Sequence, residues 1–150
     1  MSIEKDIKQS SFRSEYQKAI VNLIFTYNWT TEQFKHLFEG EDLTMQQFNI
    51  LRILRGSETP LSTLQIRERM LDRMSDTSRI VDRLILKGLV KKLPCKSDKR
   101  LVDVTITLKG LKILDKLDLH EEKMENILKS LSVEEVIIFN SLLDKIRQSN

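Results

Sequence analysis

Apolar residues recur at spacings of three and four along most of this chain, which is the period of one face of an α-helix. The pattern predicts a long helix within residues 11–40, ending near Gly40, and a shorter helix over residues 45–55. Thr44 and Gln47 have the spacing of a capping box, in which each side chain accepts from the backbone N–H of the other residue. The first third of the chain is therefore predicted to be largely helical.

Two further helices are predicted before residue 90. Ser62 and Gln65 form a second capping-box pair, and a short helix follows them. After a turn, the next helix is predicted to begin at Asp72 or Ser75 as its N-cap and to end before Gly88. Its inward face is predicted to contain Thr77, Ile80, Val81 and Leu84.

The period of the pattern changes to two after residue 88. Residues 90–93 are predicted to form one short strand, and residues 101–107 a second, whose two faces alternate with the period of two of a half-buried β-strand. Residues 94–100 connect them, so the sequence predicts a β-hairpin. The face of the second strand that is predicted to pack against the core contains Val102, Val104 and Ile106.

Helical spacing returns in the C-terminal part of the chain. Thr107 is the predicted N-cap of a long helix from residue 108 to about residue 130, and Ser132 with Glu135 forms a third capping-box pair before a last helix. The first and last helices carry long apolar faces. One small domain cannot cover faces of this length, so a partner surface is predicted.

The composition is that of a globular protein of about one domain. The chain has 150 residues, of which 40% are apolar and 31% are charged. No apolar run reaches the ~18–20 residues that a membrane-spanning helix needs, and the first residues lack the apolar segment of a signal peptide. The single cysteine, Cys95, cannot form an intramolecular disulfide. We therefore expect a cytoplasmic protein that does not contact a membrane.

Basic residues are concentrated in the middle of the chain. Residues 62–100 contain eleven Lys or Arg and five Asp or Glu, whereas the remaining residues contain fourteen and seventeen. A basic segment attracts nucleic acid because neutralising phosphates releases counterions. Charge alone leaves a solvated basic surface as the other interpretation.

The order of the predicted elements, with two helices joined by a short turn and then a hairpin, is that of a winged helix-turn-helix. Two stretches resemble the MarR family of bacterial transcription regulators. Asp98-Lys99-Arg100, followed by VTITLKG at residues 104–110, is similar to the wing of that family. RIVDRLILKGLV at residues 79–90 is similar to its recognition helix and the turn into the wing.

The resemblance implies a mainly α fold with a small β-hairpin. It implies a single domain over residues 1–150, with a winged helix-turn-helix lobe at residues 44–107 between long dimerisation helices at residues 11–40 and 108–147. Two features depart from the family pattern, because the turn at residues 71–73 lacks a glycine and Arg67 stands where a small residue is common.

Polar side chains on the helix before Gly88 are candidates for contact with DNA. A helix N-terminus favours an anion, and short hydroxyl groups there can bind phosphates or base edges. Arg79 is the best candidate base reader, because a guanidinium can bind guanine O6 and N7 together. The other interpretation is that Arg79 pairs with Asp76 or Asp82 on a solvated face. The candidate residues on this helix are Ser75, Asp76, Thr77, Ser78, Arg79 and Arg83.

The hairpin turn supplies a second set of candidates. Lys99 and Arg100 are suited to a narrow minor groove, where the negative potential is enhanced. Asp98 is expected to orient Arg100 by an ion pair, a role that the resemblance also implies. Lys91, Lys92 and Lys96 are expected to add nonspecific attraction to phosphates. The candidate wing residues are Lys96, Asp98, Lys99 and Arg100.

The resemblance implies a homodimer that binds near-palindromic double-stranded DNA. Many such regulators release DNA when a small, often aromatic, effector binds between the dimer helices and the DNA-binding lobe, so we predict a repressor of this kind. A winged-helix protein-interaction module without sequence-specific DNA binding is the alternative. Aromatic residues that could line an effector pocket, although core packing is the more common role, are Tyr16, Phe25, Tyr27, Trp29, Phe34 and Phe48.

The sequence does not indicate other chemistry. His36 and His120 belong to no tight ligand cluster, so neither a metal nor a cofactor is predicted. Cys95 has a lysine neighbour that favours a thiolate, but redox-sensing relatives carry their reactive cysteine in the first helix, so Cys95 is predicted to be inert. The chain contains no Ser–His–Asp order or Gly-rich phosphate loop, and we predict that it is not an enzyme.

Overall fold

The computed structural model describes residues 2–94 and 102–148. The protein is mainly helical and contains a small antiparallel sheet, as predicted. Its helices and strands are α1 (Ile3–Asp6), α2 (Glu15–Phe38), α3 (Met45–Arg55), β1 (Leu61–Ser62), α4 (Thr63–Arg69), α5 (Thr77–Leu86), β2 (Val90–Pro94), β3 (Val102–Ile106), α6 (Leu108–Asp118), α7 (Glu121–Glu125) and α8 (Val133–Gln148). Short 3-10 turns cover Glu39–Glu41 and Asn126–Leu128.

The chain divides into two compact units, residues 1–36 and 37–150. In the first unit, an ion pair joins Glu4 on α1 to Lys18 on α2, with 2.6 Å between Oε1 and Nζ. The pKa of Glu4 is lowered to about 2, mainly by the hydrogen bond from Lys18 and further by hydrogen bonds from the backbone and Ser2. Glu4 is therefore ionised at neutral pH, and the pair links the two helices.

The main core lies in the second unit, where α3, α4, α5 and α6 pack around the sheet. The inward face predicted for α5 is confirmed, because Val81 and Leu84 are buried and Ile80 is half-buried. The most deeply buried side chains of this core include Ile50, Leu51, Ile66, Leu84, Leu89, Val104 and Leu114.

The sheet has three strands in the order β1-β3-β2. Strands β2 and β3 form the predicted hairpin, with Val90 opposite Ile106 and Pro94 opposite Val102. The sequence pattern did not predict β1, because a two-residue strand is too short to show a period. Leu61 of β1 lies opposite the central part of β3, so β1 covers the edge that the hairpin leaves open.

The predicted inward face of β3 is buried only in its middle. Val104 is fully buried, but Ile106 is partly exposed and Val102 is 45% exposed. The expectation that all three residues pack against the core is therefore wrong for Val102. The hairpin extends past the core at this end, because Val102 pairs with Pro94 at the far end of β2.

All three predicted capping boxes are present. The side chains of Thr44 and Ser62 accept from the backbone N–H groups three residues later, and the corresponding glutamines accept in return. Before α8, the Ser132 hydroxyl accepts from the Glu135 backbone N–H at 3.2 Å, and the Glu135 carboxylate accepts from the Ser132 N–H at 2.8 Å. Local side-chain chemistry therefore sets the starts of α3, α4 and α8.

The helix predicted from residue 108 to about residue 130 is not continuous. It begins as predicted, with the Thr107 hydroxyl accepting from the Gly110 N–H at 3.2 Å, but α6 ends at Asp118. The backbone N–H of His120 then bonds to the carbonyl three residues earlier, and that of Lys123 does the same, each at 2.9 Å. These tighter bonds replace the α-helical pattern and separate α6 from α7.

Candidate nucleic-acid interface

Helix α5 has one buried face and one polar face. Thr77, Val81 and Leu84 point into the core, whereas Ser78 and Arg83 are exposed. This division follows from the sequence, in which apolar residues recur at helical spacing between charged ones. The polar face of α5 is therefore available to a macromolecular partner.

Asp76 fixes the start of α5. It is the N-cap of the helix, and its Oδ1 accepts from the backbone N–H of Arg79 at 3.2 Å. Its other carboxylate oxygen, Oδ2, lies 3.1 Å from Nε of Arg79. The Arg79 side chain remains 82% exposed, so the ion pair orients the guanidinium without burying it.

The N-cap of α5 is a correction to the sequence prediction, which favoured Asp72 or Ser75. Both of those residues are used in the turn before the helix. The Asp72 carboxylate accepts from the backbone N–H of Met74 at 3.0 Å, and the Ser75 hydroxyl donates to the Asp72 carbonyl at 2.8 Å. Asp76 is the next residue with a short acceptor side chain, and it takes the capping role.

The turn between α4 and α5 does not require a glycine. Among residues 2–94 and 102–148, the non-glycine residues with positive φ are Lys8 and Asp42, and neither lies in this turn. The sequence at residues 71–73 can therefore adopt the turn with an ordinary backbone conformation. The departure from the family pattern noted above has no structural cost here.

A shallow depression of about 440 Å³ lies where α4 meets the start of α5. Arg67 of α4 is exposed there, beside the Ser75 and Ser78 hydroxyl groups. From the sequence, Arg67 was only a departure from the family pattern. Its position two residues before the end of α4, next to the turn into α5, was the signal that could have identified it. It adds a cation to the candidate surface.

The structure removes Thr77 from the candidate surface. Its side chain is 3% exposed and belongs to the core under α5. The Thr77 hydroxyl is buried without a hydrogen-bond partner among the described residues. A side chain in this position cannot touch DNA directly, so its inclusion among the DNA-facing candidates was wrong.

A second ion pair connects α5 to the hairpin. Lys92 Nζ on β2 lies 2.8 Å from Oδ1 of Asp82 on α5, and both side chains are at least half exposed. The neighbouring Lys91 is also exposed. Asp82 therefore pairs with the hairpin and not with Arg79, whose partner is Asp76.

The C-terminal end of α5 forms a tight turn into β2. Gly88 has φ +71°, a conformation that costs other residues energy. Its N–H bonds to the Ile85 carbonyl at 2.8 Å, and the N–H of Leu89 bonds to the Leu84 carbonyl at 2.9 Å. This pair of bonds is a Schellman motif. It sets the direction in which the hairpin leaves the helix.

The predicted wing residues Lys96, Asp98, Lys99 and Arg100 lie outside the residues that the structure describes, and so does Cys95. The described parts of the hairpin show how its base is held. The Thr107 hydroxyl donates to the Gly88 carbonyl at 2.8 Å, and the Thr107 N–H donates to the Leu89 carbonyl at 3.0 Å. The base of the hairpin is thereby tied to the end of α5.

The aromatic candidates for an effector pocket fall into two groups. Phe25 and Trp29 line a cleft of about 550 Å³ in the first unit, together with Ile3, Glu4 and Lys18. Tyr16 and Tyr27, also on α2, are exposed. Phe48 is instead buried in the core of the second unit, where its ring lies 4.8 Å from that of Phe38 and the Arg52 guanidinium lies 5.7 Å from its centroid.

A bidentate ion pair joins α3 to α6. Nη1 of Arg55 lies 2.6 Å from Oδ2 of Asp118, and Nη2 lies 3.1 Å from Oδ1. This hydrogen bonding lowers the pKa of Asp118 below the ordinary value for aspartate. The pair therefore links a core helix of the lobe to the helix that follows the hairpin.

Within the described residues, no group of three or more His, Cys, Asp and Glu side chains is placed to hold a metal ion. No helix among them is both long and apolar enough to cross a membrane. The candidate surface contains arginine, lysine and hydroxyl groups, which are groups that contact nucleic-acid phosphates and base edges, and its carboxylates Asp76 and Asp82 pair with Arg79 and Lys92.

Two packed helices with a polar, arginine-bearing second helix, followed by a basic hairpin, define a winged helix-turn-helix DNA-binding protein. Residues 43–102 match the sequence profile of the MarR family. The chain is similar to the multiple antibiotic resistance protein MarR of Salmonella typhimurium, with 33% identity over 113 residues, 70% of this chain and 74% of that protein. This chain belongs to the MarR family of transcription regulators, whose members are not enzymes.

Solved structures show the same fold. A crystal structure of a mutant MarR from Escherichia coli complexed with operator DNA matches with a TM-score of 0.81 and 24% identity, over 91% of this chain and 99% of that chain. A structure from a study of the regulation of DNA binding of Bordetella bronchiseptica BpsR by 6-hydroxynicotinic acid matches with a TM-score of 0.77 and 21% identity, over 85% and 91% of the two chains.

Proposed function

We propose that this regulator is a homodimeric repressor that binds a near-palindromic double-stranded operator through α5 and is released from it by a small-molecule effector. The observation that carries the proposal is the exposed Arg79 at the start of α5, oriented by the N-cap Asp76. An oriented but solvent-exposed guanidinium is ready to bind a guanine edge without first losing a buried partner. Ser78 and Arg83 extend the same polar face.

The hairpin supports a second set of contacts. Lys91 and Lys92 lie on β2 beside α5, and the Lys92–Asp82 ion pair joins the strand to the helix. Beyond them, the sequence contains Lys96, Asp98, Lys99 and Arg100, which we propose as the wing contacts, with Asp98 orienting Arg100. Phosphate contacts of this kind position a protein on DNA, while base contacts from α5 give specificity.

Exposed apolar side chains support a dimer. On α8, Ile137, Ile138 and Leu142 are each more than half exposed, and on α2 the same holds for Tyr16 and Ile20. Faces of this size are rare on monomers and mark protein–protein contacts. A second copy of the chain is the partner that would give two α5 helices for the two halves of a palindromic site.

The cleft in the first unit supports the effector proposal. It contains Phe25 and Trp29 as apolar surfaces and Lys18 and Glu4 as polar groups, which is the composition of a site for a small aromatic molecule. Trp29 is the single tryptophan of the chain. Titration of its fluorescence with candidate aromatic compounds would therefore report binding at this cleft.

Footprinting on the DNA upstream of the gene for this protein tests the proposed function. A homodimer that reads DNA through α5 is expected to protect two half-sites on one side of the duplex, with centres about 34 Å apart, or one helical turn. Protection of a single half-site, or uniform protection without sequence preference, would contradict the proposal.

A further inference from the structure

The C-terminal end of α5 is held by two side chains from the start of α6. Lys109 Nζ donates to the carbonyl of Lys87 at 2.8 Å, and the Thr107 hydroxyl donates to the carbonyl of Gly88 at 2.8 Å. A helix leaves its last carbonyl groups without intrahelical partners, and these donors satisfy two of the carbonyls at this end. One side of the helix end is thereby fixed by α6.

The side chain of Lys87 makes a second attachment, to the segment that follows α2. Its Nζ donates to the backbone carbonyl of Asp42, lies 3.0 Å from Oδ2 of the same residue, and lies 3.3 Å from Oε1 of Gln47. Asp42 itself has a left-handed conformation, with φ 50°. The contact joins positions 45 residues apart along the chain.

The three oxygen atoms near the Lys87 ammonium group differ in how strongly they hold it. The Asp42 carboxylate is 95% exposed, so its Coulomb attraction is screened by water and is weak. The Asp42 backbone carbonyl cannot rotate away, and Gln47 is a buried residue whose amide oxygen also accepts from the Thr44 N–H in the capping box of α3. The specific part of the attachment is therefore to the backbone and to Gln47.

An ammonium group has three N–H donors, and here three oxygen atoms surround it. The donors of the Lys87 ammonium group are therefore directed at acceptors within the protein. The other basic residues of α5, Arg79 and Arg83, are exposed to solvent. This distinguishes Lys87 from Lys91, which is exposed on β2.

We propose that Lys87 is a positioning residue for DNA recognition, which holds the C-terminal end of α5 against Asp42 and Gln47 and does not itself bind phosphate. The proposal rests on the proposed role of α5 as the helix that reads the operator. Contacts with base edges require the contacting side chains to be held within about 0.5 Å of their productive positions. Loss of the attachment should therefore weaken specific binding more than nonspecific binding.

The test compares Lys87→Met with Lys91→Met in binding titrations against an operator and against random DNA, over a range of salt concentrations. Lys87→Met is expected to weaken operator binding by about twofold to about 150-fold, the range of one coupled interaction, with the salt dependence and the random-DNA affinity unchanged. Lys91→Met should instead reduce the slope of the log–log salt plot by about 1, as the loss of a phosphate contact does. Lys87→Arg, which keeps the donors, should recover most of the affinity.

The proposal is overturned if Lys87→Met binds the operator as the wild type does, or if its main effect is a reduced salt slope. Because Lys87 is 31% exposed, its replacement leaves no buried cavity. Hydrogen exchange in the DNA-free protein gives an independent measurement, since the Gly88 and Leu89 amides that close α5 should exchange faster in Lys87→Met. Arg79→Ala separates the two proposals: if it leaves operator affinity unchanged, the reading role of α5 fails, whatever Lys87 does.

Discussion

Asp76 is an acidic residue on the surface that we propose to face DNA, and its contacts explain how a carboxylate can lie there. Its carboxylate accepts from the Arg79 N–H and pairs with the Arg79 guanidinium, so part of its charge is compensated within the protein. Asp76 also lies at the positive end of the α5 dipole, where a negative charge is favourable. The residue is therefore better described as the support of Arg79 than as a direct contact.

Arg79→Ala is expected to weaken operator binding by ~1–3 kcal/mol, because it removes the proposed bidentate base contact and leaves the Asp76 carboxylate without this partner. Arg79→Lys is the matched control, since it keeps the charge and loses the planar two-donor geometry. Binding titrations at constant salt should show that lysine restores affinity for random DNA but not for the operator. Equal recovery on both DNAs would show that Arg79 contacts phosphate.

The Arg55–Asp118 pair predicts a pH-dependent contribution to stability. The pKa of Asp118 is lowered in the folded protein, so its contribution is complete above the pKa of unfolded aspartate and is lost as the pH falls through the folded value. Asp118 is 39% exposed, and solvent screening limits the contribution to about 0.5–1 kcal/mol. Asp118→Asn should lower the free energy of unfolding by this amount at neutral pH.

Urea unfolding of the wild type and Asp118→Asn at several pH values checks this expectation. The difference in the free energy of unfolding between the wild type and Asp118→Asn should become smaller as the pH falls below about 4. A difference that stays constant with pH would contradict it. Asp144→Asn is the control, because its partner Arg147 lies one turn away on the exposed surface of the same helix, where such pairs contribute little.

The roles of single residues were predicted well where hydrogen bonds between near neighbours in the sequence determine them. They were predicted poorly where tertiary packing determines them. Asp72, Ser75 and Asp76 are all competent N-caps, and only the hydrogen bonds of the turn show that the first two are already used. Thr77 was placed both in the core and on the DNA-facing list, and its burial excludes the second role. Arg67 was recognised as unusual, but its position beside Ser78 depends on how α4 packs against α5.

At the scale of elements, the hairpin and α6 depend on a close approach at Gly110. A Cβ at this position would lie 2.4 Å from the Leu89 carbonyl oxygen and 2.7 Å from Cγ1 of Ile106. The oxygen belongs to the backbone that joins α5 to β2 and cannot move without shifting that connection. The glycine in the motif T-x-x-G therefore allows the start of α6 to pack against the base of the hairpin.

Gly110→Ala is expected to lower the free energy of unfolding by about 1–3 kcal/mol, the usual cost of overpacking. Gly40→Ala is the matched control, because nothing lies within 4 Å of a Cβ there and the backbone φ is not positive. It should leave stability unchanged or raise it by up to about 1 kcal/mol. Denaturant unfolding of both variants makes the comparison, and equal stability of the two would refute the close-approach argument.

The starts of α3, α4 and α8, which capping boxes set, were predictable from the sequence. The three capping boxes lie where their residue spacing placed them. The break after α6 was not predicted, because the apolar spacing continues through Leu117, Met124 and Leu128 while the backbone changes to three-residue hydrogen bonds near His120. Strand β1 is defined by its pairing with the edge of β3. This pairing joins distant parts of the chain, so the local sequence of β1 does not predict it.

At the scale of the whole molecule, the modest net charge of +3 conceals a basic middle, residues 62–100, that contains α4, α5 and β2. The apolar faces of α2 and α8 remain exposed in the single chain. These two properties support the proposal that the middle of the sequence binds DNA and that the terminal helices bind a second copy of the chain. The family membership and the winged-helix fold were predictable because both depend on motifs within the middle segment.

The most direct test of this account is a binding titration of the wild-type protein against its upstream DNA and against random DNA of equal length, at salt concentrations from about 50 mM to about 200 mM. The account predicts one homodimer per site, at least about 10³-fold tighter binding to the operator than to random DNA, and affinity for both that falls steeply with salt. Equal affinity for the two DNAs at physiological salt, or binding that does not depend on salt, would contradict it.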